Sequence, residues 1–317
     1  EKQAALKQNV NVNDSASVDY SQTNIQVQGV DEADLLKTDG KYLYQISGRK
    51  VVISRIYPTD TMKVVTVLEQ SEGDFNPTEL YVDQDNLVVI GYSNNNFYHR
   101  DAAVSSKMIY PPVWRENKVK AVIYDLRDKD NITKVRELEL DGNYLSSRKI
   151  GSYLYLVANR PIYYYGQEPA ILPSYRDSVL GEEKEIPYNE LRCIPPVQTQ
   201  NYLIVAGLDL SKPEAEAQVS AYLGAGDNIY VSEKHLYVAV TRYPYYQVYP
   251  ELTNKLTSGS PSEQTLVYKF ALAEGQITYL NKGEVPGRIL NQFSMDEYQD
   301  NFRITTTVGY SWGLGEE

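Results

Sequence analysis

The side chains able to do chemistry are few, and carboxylates dominate them. Asp31, Glu32 and Asp34 stand near the start of the chain, and Asp296 and Glu297 stand near its end, at comparable places in two β-rich units. If these groups meet in a channel, they offer a cation site, because calcium and magnesium take oxygen ligands. They offer equally an acid/base pair for glycosidic chemistry, which needs two carboxyl groups about 5–9.5 Å apart. Capping, solvent exposure or hydrogen bonds between units are the plainer uses. No Asp-x-Asp-x-Asp-Gly loop is present, so no metal is assigned and Asp31, Glu32, Asp296 and Glu297 stand as weak candidates.

The next group is Tyr175-Arg176-Asp177-Ser178. An arginine–carboxylate pair beside a tyrosine binds a sugar or a carboxylate, or it locks a loop by bidentate hydrogen bonds. The two histidines and the single cysteine add little. His235 reads as structural. His99 would need Ser105 or Ser106 as a nucleophile, and neither is flanked by the glycines of a nucleophile elbow. Cys193 has no partner motif, and one cysteine forms no intrachain disulfide. Phosphate-loop and dinucleotide fingerprints are missing, so no cofactor is expected.

Tyrosine is the compositional oddity: 29 of 317 residues, against 5 Phe and 2 Trp. The net charge of −11 argues against wrapping nucleic acid or docking on an anionic membrane. No apolar run reaches the length of a membrane helix. The chain begins at Glu1 and reads as a processed or excised piece, with 1–19 as an N-terminal extension that opens on a short helix over Glu1–Val10. Asn131-Ile-Thr133 is a glycosylation sequon of low information.

The elements that must position these groups are short β runs broken by Gly, Pro, Asn and Asp. Residues 33–69 read as four strands joined by three turns, with Asp39-Gly40 as a strong hairpin signal. Lys212–Gln218 adds at most one helical turn. The four-strand pattern recurs, so residues 20–317 are read as a repeat with units at about 31–70, 77–141, 143–224 and 227–285, and half a unit at 290–317. Successive four-stranded antiparallel meanders indicate an all-β fold, a β-propeller of four full blades plus half of a fifth. A β-sandwich is the runner-up, but it calls for Greek-key crossovers. The second strands are apolar on both faces, as sheets stacked between sheets require.

Extra length collects at the second-to-third-strand connections, roughly 92–117, 159–200 and 242–264. In a meander these corners share one side. The insertions hold 11 of the 15 prolines and a run of tyrosines. Tyrosine is a rigid amphipathic contact residue favoured at recognition surfaces. Tyr98, Tyr110, Tyr163, Tyr164, Tyr165, Tyr175, Arg176, Asp177, Tyr243, Tyr245 and Tyr246 are therefore the candidate ligand contacts. Packing of the loops on one another is the alternative.

Four stretches carry a resemblance: Tyr20–Tyr44, Tyr175–Ser178, Tyr222–Thr241 and Val285–Gly309. They resemble bacterial and archaeal secreted proteins with a C-terminal β-propeller domain, distantly related to WD-repeat propellers. The resemblance covers about Tyr20 to Gly309. It implies an extracellular or cell-surface propeller, usually preceded by a signal or anchor, and implies no activity. Members of that family continue for several blades more, so the ring is expected to need strands from elsewhere. The reading that follows is a non-catalytic recognition or scaffold domain. Its ligand is a surface carbohydrate or an envelope protein, with self-association through the incomplete edge as a further expectation. The competing reading is a glycosidase or lyase using channel carboxylates.

Overall fold

The computed structural model describes residues 25–70, 75–98, 113–162, 171–193, 201–242 and 263–308. The expected helix over Glu1–Val10 lies outside them. The described chain is all-β. After the short β1 (Val30–Asp31), sheet one is β2 (Leu36–Thr38), β3 (Tyr42–Ser47), β4 (Lys50–Arg55) and β5 (Lys63–Glu69). Sheet two is β6 (Asn76–Val82), β7 (Asn86–Tyr98), β8 (Val113–Asp125) and β9 (Thr133–Asp141). Sheet three opens with β10 (Asn143–Ile150) and β11 (Tyr153–Pro161). An insertion then carries β12 (Ser174–Asp177), β13 (Glu183–Glu185) and β14 (Arg192–Cys193), before β15 (Asn201–Asp209) and β16 (Gln218–Leu223) complete the sheet. Sheet four is β17 (Asn228–Val231), β18 (His235–Arg242), β19 (Gln264–Ala273) and β20 (Gln276–Pro286). The hairpin β21 (Met295–Tyr298) and β22 (Asn301–Ile304) starts a fifth unit.

Within each full sheet the four strands follow chain order and are antiparallel. This is the meander expected of propeller blades, and the Greek-key crossovers of a sandwich are not seen among the described strands. The turns follow local rules. Glu274 and Gly275 both take positive φ (50° and 80°) in the two-residue turn between β19 and β20, the handedness that matches strand twist. The segment around Lys212 makes hydrogen-bonded turns at Asp209 and Lys212 and no helix. Pro213 and the competing Asp209 side chain, which bonds the Ser211 N–H, favour the turn.

The sheets stack face to face. Tyr44, Val51 and Ile53 of sheet one pack on Leu87, Val89 and Val122 of sheet two. The other face of sheet two, with Val88, Ile90 and Ala121, meets Leu154, Leu156 and Ile204 of sheet three. Tyr155, Val157 and Val205 then meet Leu236, Val238 and Phe270 of sheet four. Tyr230, Tyr237 and Val267 receive Met295, Phe302 and Ile304 of the fifth unit. Among the described residues no strand joins sheet one to the fifth unit.

Two features depart from a plain repeat. The segment before sheet one does not stay with it. Gln26 donates to the carbonyls of Gln292 and Met295 in the fifth unit, both at 3.2 Å. Gly29 passes against Glu233 of sheet four. Val30 and Asp31 pair with Ile150 and Lys149 on the free edge of β10. Asp34 exchanges both backbone hydrogen bonds with Leu80 on the free edge of β6, at 3.2 and 2.8 Å. Only then does the chain enter β2. One strand-like thread thus touches units five, four, three, two and one in turn along the edges of their first strands.

The second departure is the insertion of sheet three. The insertion leaves at the β11–β15 corner, and its described stretch runs along the outer rim: β12 pairs with β9 and adds β13 outside it, so sheet two gains two strands on its outer edge. β14 pairs in parallel with β16 on the outer edge of sheet three. Unpaired edge groups of the two sheets are the physical reason, since a nearby extended segment satisfies them at no cost in topology.

Where sheets approach most closely the residue is glycine. A Cβ on Gly207 in β15 would lie 1.9 Å from the carbonyl oxygen of Gly275 in the β19–β20 turn. Gly207→Ala is expected to push sheets three and four apart and to cost about 3 kcal/mol, read as a lowered midpoint in urea unfolding. A change within a few tenths of a kcal/mol contradicts this contact.

Candidate functional site

The densest set of polar side chains forms where the thread crosses β6 and β10. Lys37 reaches back from β2 and its buried ammonium donates to Asp31 Oδ1 at 2.9 Å and to the Glu32 carbonyl at 2.6 Å. Glu32 Oε1 sits 3.2 Å from the Arg148 guanidinium of β10. Arg148 also donates to Ser146 Oγ (2.8 Å) and to the Ser147 carbonyl (2.7 Å). Lys149 pairs with Asp83 at 3.0 Å.

Beside these ion pairs runs a line of hydroxyls. Tyr144 Oη donates to Glu79 Oε2 at 2.6 Å. Tyr144 Oη and Ser147 Oγ are 2.8 Å apart, as are Ser147 Oγ and Tyr81 Oη. A hydroxyl carries one proton. Since that of Tyr144 goes to Glu79, Tyr144 accepts from Ser147, and Ser147 in turn accepts from Tyr81. Burial raises the phenol pKa of Tyr81 and Tyr144, so both stay protonated donors at any ordinary pH. Burial also raises the pKa of Glu79; the Tyr144 bond and Arg148 oppose the rise, while Asp34 and Glu32 add to it.

Sequence-expected residues distribute as follows. Asp31 and Glu32 belong to this cluster. Asp296 lies across the β21–β22 hairpin from Arg303, whose Nε donates to it at 2.7 Å. Glu297 meets His235 Nδ1 at 3.0 Å and its backbone N–H donates to Tyr230 Oη. Burial works against ionisation of Glu297, but Ser232, His235 and Lys269 outweigh it and its pKa falls. The four carboxylates are therefore taken up by four different basic side chains. Among the described residues no group of three or more His, Cys, Asp or Glu is placed to hold a metal ion. His235 opens β18, and Cys193 lies exposed at the end of β14.

Asp177 is wholly buried. Its partner is Arg136 of β9, not the neighbouring Arg176: Arg136 donates to both carboxylate oxygens at 3.2 and 2.7 Å. The Ala217 N–H adds a bond at 2.9 Å. One carboxylate thus joins β9 of sheet two, the insertion and the approach to β16 of sheet three. Tyr175 is buried in the core between the same two sheets, and Arg176 is exposed. The triplet expected to touch a ligand is divided: its carboxylate and its phenol serve the junction of two sheets, and its guanidinium faces solvent. Tyr98 ends β7. Tyr110, Tyr163, Tyr164, Tyr165, Tyr243, Tyr245 and Tyr246, with His99, lie outside the described residues.

Sequence reasoning missed Lys37, Glu79, Tyr81, Arg136, Tyr144, Ser147 and Arg148. A signal existed for the inner group. First strands β6 and β10 are rich in polar residues, with Thr78-Glu79 in one and the run Ser146–Lys149 in the other, unlike the apolar second strands.

With the stacked meanders in place, comparison with known proteins is direct. The sequence matches the β-propeller domain family over residues 20–316. The chain belongs to that family. The propeller is 25% identical to an uncharacterized protein of Archaeoglobus fulgidus over 92% of this chain and 53% of the relative. It is 22% identical to an uncharacterized protein of Methanocaldococcus jannaschii over 92% of this chain and 50% of that relative. The chain thus spans about half the length of the curated relatives it matches. No solved structure matches it significantly. No helix among the described residues of the propeller is long and apolar enough to cross a membrane.

Two outcomes are expected. Asp177→Ala strands the buried Arg136 charge and should lower unfolding free energy by about 3–5 kcal/mol, measured by chemical denaturation; a loss below about 1 kcal/mol contradicts the clamp. Glu79 has a folded-state pKa above its unfolded value, so its contribution is present below the unfolded pKa and is lost as pH rises through the folded one. Glu79→Gln should therefore raise the thermal midpoint at pH 7, and the gain should shrink as pH falls from the raised folded pKa toward the ordinary glutamate value and be gone below it. A gain that grows on acidification would reverse the sign and refute the assignment.

Proposed function

We propose that this propeller is a non-catalytic recognition or scaffold domain that works outside the cytoplasm and takes its ligand on the side of the second-to-third-strand corners. The observation that carries the reading is a ribbon. β7 and β8 stay paired from Ser93↔Lys118 to Tyr98↔Val113, beyond the last partners that β6 and β9 supply at Tyr92 and Lys118. This two-stranded arm leaves sheet two at that corner and leads into the proline- and tyrosine-bearing segment 99–112.

The corresponding corners of sheets three and four lie on the same side. Gly142, which leads out of sheet two, packs against the Asn159 carbonyl at the corner of sheet three. The Asn159 side chain pairs with the backbone of Gly226, which leads into sheet four. Asp227 accepts from the Thr241 N–H at the corner of sheet four, at 2.7 Å. A ligand approaching this side meets three connections at once. The tyrosines assigned to these connections by sequence, Tyr98, Tyr110, Tyr163, Tyr164, Tyr165, Tyr243, Tyr245 and Tyr246, are the proposed contacts for sugars or for a peptide of an envelope protein. Extracytoplasmic placement rests on the resemblance to secreted propellers. The glycosidase or lyase alternative is less favoured, because Asp31, Glu32, Asp296 and Glu297 are engaged one by one by basic side chains.

Replacing residues 94–117 by an Asn-Gly turn tests the reading. The thermal midpoint should stay within about 2 °C, since the arm lies beyond the last pairs that β6 and β9 make with β7 and β8, while binding to a glycan array or to envelope extracts falls at least about tenfold. Silence of the intact chain on both, or binding that survives the excision together with Tyr164→Ala and Tyr245→Ala, refutes it.

A further inference from the structure

Asn131, Ile132 and Thr133 lead from the β8–β9 turn into β9. As letters alone Asn-Ile-Thr says little, because an acceptor sequon is a short and common string. Its setting says more. The turn is held by aspartates. Asp125 Oδ1 accepts from the Arg127 N–H at 2.9 Å, and Asp128 Oδ1 accepts from the Asp130 N–H at 3.0 Å. The Asp128 carbonyl accepts from the Asn131 N–H at 3.2 Å. The Asn131 carboxamide is spent on none of this. Among the described residues neither that carboxamide nor the Thr133 hydroxyl makes a hydrogen bond. Asn131 and Thr133 are exposed, on either side of a half-buried Ile132. Ile132 packs on the core between sheets one and two, and Thr133 pairs with Asp125 as the first residue of β9. Lys129 does not crowd the amide, because its ammonium lies over the rings of Tyr42 and Tyr44 at 5.8 and 5.4 Å.

We propose that Asn131 is a glycosylation site whose carboxamide nitrogen takes an oligosaccharide from a polyprenyl-phosphate donor. Asn131 Nδ2 forms a bond to the anomeric carbon of the sugar, and the bond from that carbon to the lipid phosphate oxygen breaks. The phosphate leaves with the electron pair, one amide proton passes to a base of the transferase, and nothing is oxidised or reduced. The free Thr133 hydroxyl is the second group that the transferase reads. The site stands clear of the proposed ligand side. Asp125↔Thr133 closes one end of the β8–β9 ladder and Lys118↔Asp141 the other, about 23 Å away at the rise of an extended strand. The β7–β8 arm leaves from that other end, from Ser93↔Lys118 onward. A glycan on Asn131 therefore shields and solubilises the turn while the three corners remain open. The inference rests on the reading above only for its placement of the chain outside the cytoplasm, where lipid-linked sugars are transferred.

Mass spectrometry with peptide mapping tests it on the protein purified from its own host cell. The peptide bearing Asn131 should gain the mass of a whole number of sugar residues. Mapping keeps this peptide apart from Asn13-Asp14-Ser15, the other sequon of the chain. Asn131→Gln and Thr133→Ala should each abolish the gain, and Thr133→Ser should keep it. Made in a host without the transferase, all three variants should hold the thermal midpoint of the unchanged chain within about 2 °C, so a lost glycan is not a lost fold. Fractionation of the same cells tells the two failures apart. A bare Asn131 peptide on protein found outside the cytoplasm overturns the inference alone. Bare protein kept inside the cytoplasm overturns both the inference and the extracytoplasmic placement. A sugar gain that survives Thr133→Ala overturns the inference as well, since the hydroxyl would then have no part in it.

Discussion

The architecture depends on the thread that runs from Gln26 to Thr38. A stack of antiparallel sheets leaves the first strand of each one with a bare edge, and bare backbone groups away from water are costly. The thread answers this at β10 with Val30 and Asp31 and at β6 with Asp34. It answers it at the fifth unit with the Gln26 amide. The contacts join residues as far apart in sequence as Gln26 and Met295, so the thread ties the separate meanders into one body. Its side chains do the same in charge, with Lys37 on Asp31 and Glu32 on Arg148. The hydroxyl line from Tyr81 to Glu79 lies under this crossing and is satisfied along its length, which is the condition under which a buried polar network specifies one arrangement.

The outer rim solves the complementary problem. The last strands β9 and β16 also have free edges, and the insertion of sheet three supplies β12, β13 and β14 to cover them. Asp177 is the centre of that cover. Its ion pair with Arg136 is excluded from water on both sides, with side-chain exposures of 0 and 1%. Such a pair gains little relative to two apolar groups, but its geometry is exacting. It therefore selects one seating of the insertion between two sheets. The consequence for function is a division of labour among the insertions. The one between β11 and β15 stiffens the rim over its described stretch, and the arm of β7 and β8 stands clear of it.

Much of the fold was legible in the residues. The four-stranded antiparallel meanders follow from alternation, Asp-Gly and Ser-Gly turns and apolar second strands, because those signals are local. The strand β7 ran longer than its apolar stretch Asn86–Gly91 because pairing continued through the polar run Ser93–Asn96, where only the partner strand β8 decides. The candidate site was half legible. Asp31 and Glu32 were singled out for their charge, whereas Glu79, Tyr144, Ser147 and Arg148 look like ordinary strand residues until sheets two and three are stacked. Tyr175, Arg176 and Asp177 were grouped as neighbours in sequence, but strand alternation turns Arg176 away from the other two.

The amino-acid sequence by itself determined the units, their turns and the apolar faces on which they stack, since period-two alternation and turn chemistry act within a dozen residues. Tertiary structure alone decided which edges the thread and the insertion would cover, and which basic group each carboxylate would meet. Those choices depend on distances between segments far apart in the chain, and no local pattern encodes a distance of that kind.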